Sequence, residues 1–64
     1  MNSSMLEALE KLFWNGPTKV WDMLGDYTSL IELGLAKEKQ LGNVYIMLTP
    51  LGYECAYSKF ARSP

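Results

Sequence analysis

Three short joints leave residues 30–54 little freedom: Leu33-Gly34-Leu35-Ala36, Gln40-Leu41-Gly42-Asn43 and Leu48-Thr49-Pro50-Leu51-Gly52. Gly34 stands where a helix needs a residue at positive φ in order to stop, because glycine has no Cβ to clash. Gly42 and Asn43 supply the backbone freedom of a short hairpin turn. Thr49-Pro50 joins a capping hydroxyl to a proline at the first helical position. Between the joints, Lys37 and Lys39 fall on alternate positions of an exit strand. Val44, Ile46 and Leu48 share one face of the return strand, and Tyr45, Met47 and Thr49 share the other. The stretch therefore predicts a helix end, a strand, a tight turn, a second strand and a helix start. Val44, Ile46 and Leu48 should pack against the first helix, with Leu33 and Leu35 in the same core.

Upstream, Ser4-Met5-Leu6-Glu7 has the spacing of a capping box, in which serine and glutamate satisfy opposing backbone N–H groups. Met5, Leu6, Leu9, Leu12 and Phe13 then recur at helical spacing, up to a stop at Asn15-Gly16-Pro17. Pro17 suits a first helical turn, and Val20, Trp21 and Leu24 would lie on one face of a second helix. Two readings of residues 17–33 stay open. In one, Gly25 ends that helix and Asp26 caps a third from Tyr27 to Leu33; in the other, a single helix runs through Gly25 at a cost of about 1 kcal/mol relative to alanine. Downstream, Leu51, Cys55, Ala56 and Phe60 suggest the buried stripe of a last helix. Lys59 and Arg62 near its C-terminus would suit the helix dipole.

The order helix, helix, helix, strand, strand, helix resembles the winged helix-turn-helix of prokaryotic transcription regulators of the multidrug-resistance and phenolic-acid regulator type. The resemblance rests on Leu33-Gly34-Leu35-Ala36 and Leu48-Thr49-Pro50-Leu51-Gly52, and in topology it covers roughly residues 17–54. It implies an α+β, mostly α fold: one domain over residues 1–64, with three N-terminal helices, a β-hairpin wing and a C-terminal helix. In such proteins the helix before the wing enters the major groove and the wing touches phosphate. Carried over by position, Thr28 and Ser29 become candidate contacts on the reading helix. Lys37, Lys39, Gln40 and Asn43 become candidates on the wing, and Lys19 a further backbone contact. The implied partner is double-stranded DNA.

Charge argues the other way. The chain carries six basic and seven acidic residues, a net charge of −1, whereas nucleic-acid binders usually show a basic excess. The expected reading helix contains no Lys or Arg, and Asp26 and Glu32 would face a polyanion. Lys37 and Lys39 also have a plainer reading, as solvated charges that protect an exposed strand edge. A second class of function therefore stays open: a protein-binding module on the same frame, presenting a neutral or acidic, aromatic-rich face. Two Trp, four Tyr and two Phe are many for 64 residues, and aromatic residues dominate both cores and interfaces. Trp14 and Trp21 are expected in the core or at a subunit seam. A homodimer is expected, through the first or last helix, with Trp14, Tyr53 and Tyr57 at the interface.

The chain has no His, which removes a His-assisted nucleophile and a His metal site. It also lacks a glycine-rich phosphate loop or paired cysteines. No enzyme, cofactor or metal is expected. The single Cys55 forms no intrachain disulfide and suits a small buried position in a reducing compartment. With no basic segment leading an apolar run at the start, and no apolar run long enough to span a bilayer, a cytoplasmic protein is expected.

Overall fold

Asn2 opens the first helix of the computed structural model, which describes residues 1–61; Arg62 lies outside them. The Asn2 side chain accepts the Met5 N–H at 2.9 Å, so α1 spans Ser3–Asn15. Ser4 is thereby inside the helix rather than at its cap. Its carbonyl instead accepts the Asp26 N–H at 3.0 Å, tying the middle of the chain to the start of α1.

Beyond Pro17 the chain departs from the expected second helix. Thr18–Lys19 is a two-residue strand, β1, and Val20–Asp22 is a single 3₁₀ turn. The Thr18 hydroxyl donates to the Gly16 carbonyl and accepts from the Asn15 amide, each at 2.9 Å. This network bends the chain directly into an extended pair of residues. Asp26 then caps a separate helix, α2, over Tyr27–Glu32, so a single helix across residues 17–33 is excluded.

The joints on either side of the hairpin form one lock. Gly34, at φ 78°, donates to the Ile31 carbonyl at 3.0 Å, and Leu35 N–H donates to the Leu30 carbonyl at 2.9 Å. These are the paired hydrogen bonds of a Schellman stop. Leu30 and Leu35 are buried beneath it, while Leu33 points outward, 58% exposed, and does not join the core. The chain then runs out along β2 (Ala36–Leu41), turns at Gly42 and returns along β3 (Asn43–Leu48). There Thr49 meets the stop: its hydroxyl donates to the Gly34 carbonyl at 2.6 Å, and its N–H donates to the Leu35 carbonyl at 3.1 Å. The same hydroxyl oxygen accepts the Gly52 N–H at 3.0 Å and so caps α3 (Pro50–Phe60). Gly52 lies directly against the Leu35 carbonyl, where an added Cβ would overlap the oxygen. The last helix therefore buries Gly52 and Ala56, with Cys55 and Phe60 half-buried, and Leu51 faces outward.

Over the described residues the result is an α+β fold of three α-helices and a three-stranded antiparallel sheet in the order β1-β3-β2. Leu9 and Leu12 of α1, Leu30 of α2 and Ile46 of β3 are fully buried, each contributing roughly 1.5–3 kcal/mol. Leu48 is buried with them, and Val44, nearer the hairpin tip, only half so. Trp14 and Trp21 are 65% and 69% exposed and take no part in this core. None of the described helices is long and apolar enough to cross a membrane.

Candidate functional site

Register decides which side chains share a face, because directly paired residues of an antiparallel sheet point the same way. Thr18 and Glu38 pair with Ile46, and Ala36 pairs with Leu48. These residues form the inner face, where the helices pack. Of these five, Glu38 on the edge strand is exposed and the rest are buried. On the outer face Lys19 and Lys39 both pair with Tyr45, one from each side, and Lys37 pairs with Met47. Lys37 and Lys39 are exposed, whereas Lys19, Tyr45 and Met47 are half-buried. Neighbouring strands lie about 4.8 Å apart, so the Lys19 and Lys39 backbones are about 10 Å apart with Tyr45 between them.

The wing-tip candidates divide between these faces. Asn43, paired with Leu41, has the parity of the outer face, while Gln40, paired with Val44, belongs to the inner one. Lys19, Lys37, Lys39 and Asn43 are therefore brought together. Thr28 and Ser29 are not among them: they sit on α2, whose Leu30 belongs to the core on the opposite side. Thr28 is exposed. The Ser29 hydroxyl is already engaged, donating to the Asp26 carboxylate at 2.7 Å while the Ser29 N–H donates to the other carboxylate oxygen at 3.1 Å. That hydroxyl, and then the backbone N–H, hold the Asp26 carboxyl below its ordinary value. α2 has only six residues, about 9 Å of helix at 1.5 Å per residue.

Lys11, which the sequence does not single out, borders a polar depression together with Asn15, Lys19, Asp22 and Tyr45. Four of the six basic residues, Lys11, Lys19, Lys37 and Lys39, therefore gather around Tyr45 in a chain whose net charge is negative. Of the seven acidic residues, Asp22 lies at this border, and the register places no carboxylate on the outer face itself. Besides Lys11, sequence reasoning missed Tyr45 and Met47 as site residues. Their signal was the hairpin register: once the turn is centred on Gly42, Lys39 must pair with Tyr45 and Lys37 with Met47.

The aromatic candidates form a second surface. Tyr53 and Tyr57, 46% and 64% exposed, line an apolar groove with Phe13, Pro50 and Glu54 between α1 and α3. Trp14 reaches that groove only through Phe13, whose ring meets it edge-on at 4.8 Å. It otherwise lies in a depression beside Glu7, Glu10 and Leu24. No known protein family, no curated protein and no solved structure matches the chain.

Proposed function

We propose that this chain is a small DNA-binding module of the transcription-regulator kind, with a winged-helix-like frame whose wing is the β2–β3 hairpin. The observation that carries the reading is the clustering of Lys19, Lys37 and Lys39 on the outer face of the sheet. Phosphate neutralisation dominates nucleic-acid affinity and depends on local rather than net charge. The β2–β3 hairpin between α2 and a capped α3 supports the winged-helix comparison, while β1 and a 3₁₀ turn stand where its second helix was expected. The short, lysine-free α2 argues against reading the major groove with that helix, since specific contacts most often use Arg or Lys. The module on this view grips the backbone with its wing and contributes little sequence readout from α2.

Titration onto mixed-sequence duplex DNA at several salt concentrations tests it. Binding should weaken as salt rises, and Lys37→Ala with Lys39→Ala should reduce the slope by about 0.9 per lost phosphate contact. A wild-type chain with no salt-sensitive binding to any DNA would overturn the reading. A second reading, a protein-binding module, draws on the exposed Tyr53 and Tyr57 beside Phe13 and Pro50. In a homodimer, that groove together with Trp14 would form the seam, each aromatic residue serving twice across a two-fold axis. A monomer mass by sedimentation at high micromolar concentration counts against that assembly.

A further inference from the structure

We infer that the outer sheet face takes single-stranded nucleic acid in preference to duplex, with an unpaired base stacked on Tyr45. The inference rests on the DNA-binding reading above and adds the strandedness of the ligand. Tyr45 lies on the central strand, with Lys19 paired to it on one side and Lys39 on the other. Met47 is the next residue on the same strand face, and exposed Leu41 extends that face toward the hairpin tip. An apolar centre is thus bordered by cations on both edges, with Lys11 continuing the charge past Lys19. That arrangement fits a strand whose bases lie inward on the sheet and whose phosphates run outward to the ammonium groups.

A duplex makes poor use of the same surface. Its bases are paired and stacked on one another, so no ring face is free to meet Tyr45. The phenol would then touch only sugar and phosphate, leaving the lysines alone to carry the binding. With an unpaired strand, stacking adds to the electrostatics without demanding a particular sequence, because every base has a π-face.

The test uses the full chain and fluorescently labelled short oligothymidylate, oligouridylate, a hairpin duplex and an oligothymidylate of equal charge with abasic sites in place of bases. Oligothymidylate should bind more tightly than either the duplex or the abasic strand. Comparable binding of oligouridylate assigns the face to RNA and DNA alike, while weaker binding assigns it to DNA; either is consistent with stacking. Tyr45→Ala should weaken oligothymidylate binding roughly 5- to 150-fold, the range expected for one stacked base. Tyr45→Phe should retain most of the affinity, and neither change should affect the abasic strand. Because the abasic comparison uses wild-type protein, it stands even if Tyr45→Ala fails to fold. Salt-sensitive binding that is equal for thymidylate and abasic strands, or tighter for duplex, overturns the stacking and leaves the DNA-binding reading intact. Absence of salt-sensitive binding to every probe overturns both.

Discussion

The two faces of one small sheet use their side chains in opposite ways. On the inner face Ile46 and Leu48 are buried against the helices, and the turn at the hairpin's base is fastened through Thr49 to the Gly34 and Leu35 carbonyls. On the outer face Lys37 and Lys39 stand in solvent beside a half-buried Tyr45 and Met47. β3 supplies both faces from alternating positions. The inner residues determine whether the chain folds, and the outer ones are free to meet a ligand. Substitutions on the two faces should therefore separate stability from binding.

Gly52→Ala should produce the largest effect. The added methyl group would overlap the Leu35 carbonyl oxygen, a backbone atom fixed by the Thr49 N–H, so neither partner can turn aside. Overpacking costs about 1–3 kcal/mol where side chains can adjust, and this contact should lie at or above the upper end. A denaturation midpoint close to wild type would show that α3 can lift off the hairpin base without loss.

Leu48→Ala comes next. Its side chain is buried in the core beside Ile46, and truncation should destabilise the chain by about 2–5 kcal/mol. Whatever fraction stays folded should still bind DNA with wild-type affinity, because Leu48 belongs to the inner face. By contrast, Lys37→Ala with Lys39→Ala should move stability by no more than about 0.5 kcal/mol, as is usual for exposed positions. Their effect should appear in the salt dependence of binding. A double variant that unfolded would mean that the outer face also holds the sheet together.

Much of the inner face was legible in the sequence, because each of its devices is local. Gly34, the Gly42 turn and the Thr49-Pro50 cap act within a few residues, and the alternation of β3 is visible as a pattern. The first strand, β1, was not legible. Thr18–Lys19 is too short to show any alternation, and its partner residues Ile46 and Tyr45 are far along the chain. The proline that suggested a helix start there serves only the turn. For the same reason the sequence could name Lys19, Lys37 and Lys39 as candidates but could not gather them around Tyr45. Leu33, expected in the core beside Leu35, and Leu51, placed there by helical spacing, both face outward at helix ends. There, the Schellman stop and the close contact of Gly52 decide which way the chain faces.

The smallest expected effect also separates α2 from the sheet as the contact surface. Asp26 caps α2, and the Ser29 hydroxyl holds its carboxyl below the ordinary value of 3.8. A carboxyl with a depressed folded-state pKa lends stability that is present above its unfolded value, and loses it as pH falls through the folded one. Wild type should therefore weaken below about pH 4 relative to Asp26→Asn, which caps nearly as well but does not titrate. At neutral pH the two should differ little in stability, and the informative difference is in DNA affinity. If α2 lay against phosphate, removing the Asp26 charge would strengthen binding, as would Glu32→Gln on the same helix. With the outer sheet face as the contact, α2 lies behind the core and both variants should bind as wild type does. Tighter binding by either one would move the interface from the sheet to the helix.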